Sequence, residues 1–336
     1  MAGRGEVERL PGARNLGRGR RMRVILAPFF QGGVTMWFKN LVLYRLPAPW
    51  PADPDSVAEK LARFPLQRCG GAERETRGWI SPRNDERLLH VVGGQWLLAL
   101  GQEQKLLPSS VVNQFVKDKA LEIEDQQGYK LGRKQSKDLK ERVVEELLPR
   151  AFVRRHTSWL WIDPANGWLV VDASSPNRAD EVLELLRETL DELPVRRLDT
   201  ETSPGSAMTE WVLSGEAPAG FTVDRDLELR APDEEKATVR YVRHALEGDE
   251  VSAHIAAGKR ATRLALTWGE RISFVLTDVL QVKRLAFLEV LKEQLDQLVD
   301  GPDAEFDASF ALMTGELARL LPDLVSALGG ERLPAA

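Results

Sequence analysis

Cysteine is almost absent: Cys69 is the single one in 336 residues. That excludes a disulfide scaffold and any zinc site or iron–sulfur cluster built on cysteines, and it fits a reducing cytoplasm. Histidine is sparse as well. His90, His156, His244 and His254 are scattered, and no two form an HxxxH pair. No apolar run reaches the roughly eighteen residues of a membrane-spanning helix. The phosphate loop GxxxxGK[ST] is missing. Its nearest fragment, Gly258-Lys259-Arg260, lacks both the first glycine and the hydroxyl residue. No GxGxxG follows a strand, and there is no GxSxG elbow, no HExxH helix and no internal repeat. Cys69 in Arg68-Cys69-Gly70-Gly71 has no histidine placed beside it by the sequence and reads as a half-buried structural thiol. Asp163 and Asp172 bound a hairpin and are candidate Mg²⁺ ligands of a nuclease. They serve equally as a turn former and a strand end.

What is present is ordinary in bulk and unusual in distribution. Hydrophobic residues are 43% and charged residues 29%, as in a globular protein with room for two or three domains. The net charge of −5 divides sharply. Residues 1–35 hold seven arginines and two glutamates, a net of +5, which leaves −10 for the other 301 residues. The first 23 residues are rich in Gly and Arg and have no hydrophobic period, a disordered composition. Val24 to Phe30 after Arg20, Arg21 and Arg23 is too short for a signal peptide and lacks a cleavage site. Patterned sequence begins at Met36, so we expect translation to start there, with residues 1–35 an artefact of start-site assignment. The rival reading is a basic arm that touches DNA.

Periodicity predicts mixed α and β structure. Trp37 to Leu46 reads as a strand, and Asp53-Pro54 caps a helix to about Phe64. Thr76–Ile80 and Gln95–Leu100 read as short strands. Ser109 to Leu148 lacks proline, carries Val112, Phe115, Val116, Ala120 and Ile123 at helical spacing, and breaks at Gly128 and Gly132. It predicts a helical hairpin, its first arm about 28 Å long. Ser158–Ile162 and Trp168–Val171 flank a dense turn and predict a β-hairpin, followed by a helix over Arg178–Leu190. Residues 191–208 read as a linker. Beyond them come a short helix from Asp249 to Ala257, a second hairpin around Gly269-Glu270, and helices over Lys283–Leu298 and Ala308–Leu321, the last stopped or kinked by Pro322.

Basic residues gather in two places. From Lys130 to Arg155 there are nine Lys/Arg and four Asp/Glu. Lys130, Arg133, Lys134 and Lys137 recur at spacings of three and four, so in a helix they could share a face. Arg150 and Arg154 flank Phe152, an aromatic that suits a core residue, a base wedge or an interface anchor. The second group is Arg240, Arg243 and His244 with Lys259, Arg260 and Arg263. A run of charge is also what any solvated helix face shows, and Lys259 and Arg260 also suit a helix C-terminus. Nine tryptophans invite base stacking, but Trp96, Trp159, Trp161, Trp168 and Trp268 sit in apolar strand contexts that favour core packing.

Several ordered stretches carry a family resemblance. They are Met36-Trp37-Phe38-Lys39-Asn40-Leu41, Leu147-Leu148-Pro149-Arg150-Ala151-Phe152, and Trp161-Ile162-Asp163 with Asn166-Gly167. Thr209-Glu210-Trp211-Val212, Ser214-Gly215, His254-Ile255 and Ala257-Gly258-Lys259 follow. Leu264-Ala265-Leu266 with Trp268 and Leu312-Met313-Thr314-Gly315-Glu316-Leu317 complete the set. Over roughly residues 36–331 the chain resembles the bacterial recombination-associated RdgC family. The resemblance implies an α+β ring-shaped homodimer with a positively lined hole. Its parts would be a centre (36–106 and 150–200), a helical finger or tip (107–149) and a base (201–331). It implies sequence-independent binding of single- and double-stranded DNA, limitation of RecA recombinase by occupancy, and a cytoplasmic, nucleoid-associated location. It implies no catalysis, no cofactor, no metal and no membrane partner. Phe152 resembles a tip aromatic at the dimer contact, Lys259 a lysine facing DNA, and Arg243 lies near an expected basic residue. The loop Val279-Leu280-Gln281-Val282 departs from the glycine-containing turn of that pattern. Against this stand a metal-dependent DNA-processing enzyme and a recombinase-binding scaffold.

Overall fold

A computed structural model describes residues 36–83, 85–298 and 302–333. The reading of residues 1–35 as a basic leader falls outside the described residues. In chain order the first elements are β1 (Leu41–Arg45), α1 (Pro54–Leu61), β2 (Glu75–Ile80), β3 (Leu89–Val92) and β4 (Gln95–Leu106). A helical pair follows, α2 (Ser109–Gln127) and α3 (Arg133–Leu147), and then a 3₁₀ turn at Leu148–Arg150. Next are β5 (Phe152–Asp163), β6 (Trp168–Asp172), α4 (Pro176–Thr189), β7 (Arg196–Arg197) and α5 (Pro204–Ser214). The chain goes on through β8 (Phe221–Arg230), β9 (Thr238–Tyr241), α6 (Asp249–Ala256), β10 (Arg260–Trp268), β11 (Ile272–Thr277) and β12 (Gln281–Phe287). It closes with α7 (Glu289–Leu298) and α8 (Pro302–Ala327). The expected α+β class is what the chain adopts. Among the described residues no helix is long and apolar enough to cross a membrane.

All twelve strands join one antiparallel sheet in the order β2-β4-β5-β6-β1-β12-β11-β10-β8-β9, with β3 on β4 and β7 on β1. The strand alternation explains how the sheet is covered. In β1 and β6 both alternating sets are buried. Leu41, Leu43, Trp168 and Val170 join one core, while Val42, Tyr44, Leu169 and Val171 join another under α1 and α4. The other half behaves differently. Leu264, Leu266 and Trp268 of β10 and Phe274 and Leu276 of β11 pack with residues of α5, α7 and α8. Their alternates Arg263, Ala265, Thr267, Ser273 and Val275 keep solvent contact. One sheet face of that half is therefore open.

Local chemistry fixes the ends of these elements. Asp53 caps α1 by accepting from Ser56 N at 2.8 Å, with Pro54 at its first position. In the β5–β6 turn Asp163 accepts from the amides of Ala165 and Asn166, both at 3.1 Å. Gly167 there stands at φ +68°, where a Cβ would lie 2.5 Å from the Leu46 carbonyl oxygen. Gly269 and Glu270 both adopt φ +55° in the β10–β11 turn.

Several expectations are corrected. Lys283 to Phe287 form a strand, not the start of a helix: Val282, Leu285 and Phe287 bury against β11, and Arg284 at φ +52° interrupts the alternation. The supposed linker at 191–208 contains β7 and the start of α5, where the Ser203 hydroxyl accepts from Ser206 N. Pro322 does not end the last helix, because Leu320, Leu321, Leu324 and Leu328 are all buried and hold the final turns against the core. Leu280 takes φ +56°, so the left-handed turn expected of a glycine is made here by leucine. β4 and β5 are also far longer than expected, twelve residues each, paired from Trp96↔Ile162 to Leu106↔Phe152.

Candidate nucleic-acid interface

The β4–β5 ribbon leaves the core and carries the α2–α3 pair at its end. A separate small core of Val112, Leu139 and Val143, flanked by Val116, Ala120 and Ile123, holds the two helices together. Gly128 at φ +76° ends α2, and Gly132 opens α3. This placement corrects the proposed helical row. Lys130 lies in the connection before α3, whereas Arg133 and Lys134, four and three residues before Lys137 in α3, share its side of the helix. Lys137 reaches Glu141 at 3.9 Å, both exposed, a pairing worth little. Among the described residues Lys130, Arg133, Lys134, Arg150 and Arg154 have no carboxylate within ion-pair distance. Arg155 differs: it pairs with the buried Glu103 at 2.9 Å. Phe152 sits where the ribbon meets the helices and is 85% exposed, which removes the core reading. Its register partner Leu106 and its neighbour Val153 are exposed too, as are Val111 and Phe115 on α2.

The second basic group lies on the open sheet face and at its edge. Gly258 at φ +91° turns the chain from α6 into β10, so Lys259 and Arg260 stand at the strand's first end, with Arg260 opposite Arg230. Arg263 is opposite Glu228, and Glu228 is opposite Arg240. Glu228 is buried. Its carboxylate accepts from Arg240 Nε at 2.7 Å, Arg230 Nη2 at 2.9 Å and the Thr262 hydroxyl at 2.8 Å, and Arg263 Nη1 lies 3.9 Å away. Across this row a cleft of about 390 Å³ runs toward the β1–β12 seam, where Lys283 and Arg284 line it. Neither has an ion-pair partner among the described residues. Arg243 falls in the loop after β9 at φ +54°, held by its own amide donating to Asp226 Oδ1 at 2.8 Å. Lys283 and Arg284 were missed in the sequence because a helical period was read through them. Glu228 was missed because one acid among alternating charges looks like surface.

Burial alone would raise the Glu228 carboxyl. The hydrogen bonds from Thr262 and Arg240 and the charges of Arg263 and Arg240 outweigh it, so its pKa falls below the ordinary 4.5. A lowered carboxylate stabilises the fold fully above the unfolded value and loses that contribution as pH falls through the folded one. Glu228→Gln is expected to narrow the difference in melting temperature between about pH 6 and about pH 3. An unchanged acid-side slope in a calorimetric pH series would refute this.

The candidate carboxylates of a nuclease are occupied otherwise. Asp163 is fully buried in its turn and also accepts from Asn166 Nδ2 at 2.7 Å. Asp172, at the opposite end of the hairpin, accepts from Asn40 N at 2.8 Å and ties β6 to the chain entering β1. Among the described residues no group of three or more His, Cys, Asp or Glu is arranged to hold a metal ion. Cys69 Sγ donates to the Glu73 carbonyl at 3.2 Å, and burial pushes its thiol up, which suits a structural role. Trp96, Trp161, Trp168 and Trp268 are buried, and Trp159 is partly so, packed on the core.

These features define an α+β protein in which cations without an ion-pair partner among the described residues stand on a helical finger and on an open sheet face of an otherwise acidic chain. A family model described as "Putative exonuclease, RdgC" matches residues 36–331. The recombination-associated protein RdgC of Dechloromonas aromatica is 57% identical over 304 residues, covering 89% of this chain and all of the relative. Those of a Janthinobacterium species and of Bordetella pertussis are 55% and 53% identical, each covering 88% of this chain and 99% of the relative. The chain belongs to the RdgC family of recombination-associated proteins.

Proposed function

We propose that this protein binds single- and double-stranded DNA without sequence preference, as a ring-shaped homodimer that limits access of RecA recombinase, in the nucleoid. The observation that carries the reading is the segregation of charge. The described chain is acidic overall, yet among the described residues Lys130, Arg133, Lys134, Arg154, Lys259 and Arg260 have no carboxylate within ion-pair distance, and Arg150 acts on Glu146 only from beyond that distance. Such cations position phosphates and read no bases, while an acidic exterior repels stray nucleic acid. The exposed apolar set around Phe152 at the ribbon end supplies a self-association contact. We read the protein as non-catalytic, without metal or cofactor, since Asp163 shapes the β5–β6 turn and Asp172 ties β6 to the chain entering β1. The exonuclease wording of the family description gives the rival, for which Mg²⁺-dependent DNA degradation abolished by Asp163→Asn or Asp172→Asn is the signature.

The test is a salt series on random-sequence duplex and single-stranded DNA. Affinity should fall steeply with salt and equally for unrelated sequences. Lys259→Glu should weaken binding to all sequences alike and flatten the logarithmic salt slope by about one unit. An unchanged slope removes Lys259 from the interface, and absence of binding by the full chain ends the reading.

A further inference from the structure

Glu228 poses a question that charge counting answers wrongly. It is a buried carboxylate directly beneath the open face that carries Arg240 and Arg263, where an acid should repel phosphate. Its neighbourhood shows another role. Three guanidiniums, those of Arg230, Arg240 and Arg263, surround the Glu228 carboxylate, and the Asp278 carboxylate acts on Arg230 and Arg263 from nearby, so three cations face two acids and one positive charge is left in excess. Arg240 engages through Nε, which leaves both of its Nη groups free to donate. Arg263 approaches only at 3.9 Å and keeps most of its donors. A guanidinium is a planar fork of five N–H groups suited to bidentate contact with phosphate oxygens, provided its orientation is fixed. Among the described residues Glu228 is the carboxylate that pairs with Arg240, whose side chain is 65% exposed and would otherwise swing in solvent. The cleft beside this row adds Lys283 and Arg284 against one further acid, Asp226, whose Oδ1 accepts from the Arg243 amide, and its volume of about 390 Å³ has room for a phosphodiester group.

We propose that the cleft between β9, β10 and β12 seats a backbone phosphate of a DNA strand, and that Glu228 is the positioning residue that aims Arg240 and Arg263 at it. This rests on the DNA-binding reading and specifies where on the sheet the strand is gripped. Glu228 makes no contact with DNA itself. It converts long, mobile side chains into a pre-oriented pair, and so lowers the ordering cost of binding.

The sign of one substitution separates this from simple electrostatics. Glu228→Gln removes a negative charge from a DNA-binding face and by Coulomb's law should tighten binding. We expect it to weaken binding by about tenfold, because the arginines lose their anchor. Asp224→Asn makes the same charge change on the same face, where Asp224 accepts from the Thr267 hydroxyl at 2.9 Å; it should leave affinity unchanged or raise it. Random-sequence single-stranded and duplex oligonucleotides are the probes, at several salt concentrations. If the unmodified protein binds neither, the DNA-binding reading itself fails. If the unmodified protein binds and Glu228→Gln binds as tightly or more tightly, the positioning role is wrong. Should Glu228→Gln lower the melting temperature as well, Lys283→Ala combined with Arg284→Ala decides, since neither residue has an ion-pair partner among the described residues. That double variant should flatten the logarithmic salt slope by about two units, and an unchanged slope would overturn the phosphate seat.

Discussion

Phe152→Ala is expected to raise the dissociation constant of self-association by about thirtyfold or more, with no measurable change in the melting temperature of the dissociated chain. The two halves of that expectation come from one number. Phe152 is 85% exposed in the single chain, so removing its ring leaves no cavity, and exposed substitutions usually stay within about 0.5 kcal/mol. An aromatic presented this openly gains its burial only from a partner. Its register partner Leu106 is exposed beside it, and Val111 and Phe115 on α2 and Val153 on the ribbon's other face are exposed apolar residues of the same finger. Arg150 and Arg154 flank Phe152 in the sequence, so the exposed ring stands beside charged groups, as apolar anchors of interfaces do. Central aromatic anchors of such surfaces lose about 2 kcal/mol or more on truncation, which gives the thirtyfold figure. Sedimentation across a concentration series measures it. Intact association would remove Phe152 from the contact. Weaker binding of single-stranded DNA with association intact would instead make it a base wedge.

The helical finger was legible in the sequence because its signals are local. Gly128 and Gly132 bracket the break, the apolar spacing of α2 is helical, and Asp53-Pro54 marks the start of α1 in the same way. The hairpins at Asn166-Gly167 and Gly269-Glu270 were legible because a turn with positive φ leaves a compositional trace. What escaped is what only distant pairing decides. β8 reads Phe-Thr-Val-Asp-Arg-Asp-Leu-Glu-Leu-Arg, with no continuous apolar face, and it is a strand because β10 lies beside it. Lys283 to Phe287 fit a helix or a strand equally until β11 supplies a ladder. The same blindness hid the Glu228 cluster, whose members come from three strands and meet only through register. Phe152 was legible as unusual, through its arginine neighbours and its family pattern, but its exposure was not.

The second large effect is expected inside the molecule. Trp161→Ala should destabilise the chain by about 3–5 kcal/mol, seen as a lower urea midpoint. Trp161 is fully buried, and its indole Nε1 donates to Gln95 Oε1 at 2.7 Å, so truncation leaves a large void and an amide without its partner. Its position makes the loss worse. The two halves of the sheet meet at β1 and β12, where the ladder is short, with Leu41↔Val282 and Val42↔Gln281 in register. Side chains on the covered face therefore carry much of the junction. Trp161, Leu97, Trp168 and Val170 from one half share a single core with Phe274, Leu276, Phe310 and Met313 from the other. A loss of 3–5 kcal/mol is a large share of the roughly 5–15 kcal/mol by which domains are stable. Trp161→Phe should cost less, since much of the ring volume stays. The finger offers an internal control, because Val112, Leu139 and Val143 form their own core. Hydrogen exchange in Trp161→Ala should accelerate first in β5, β6, β1 and β12, with the amides between α2 and α3 least affected. Equal acceleration throughout would mean that the seam and the finger unfold as one unit, and an unchanged urea midpoint would mean that the site collapses around the void.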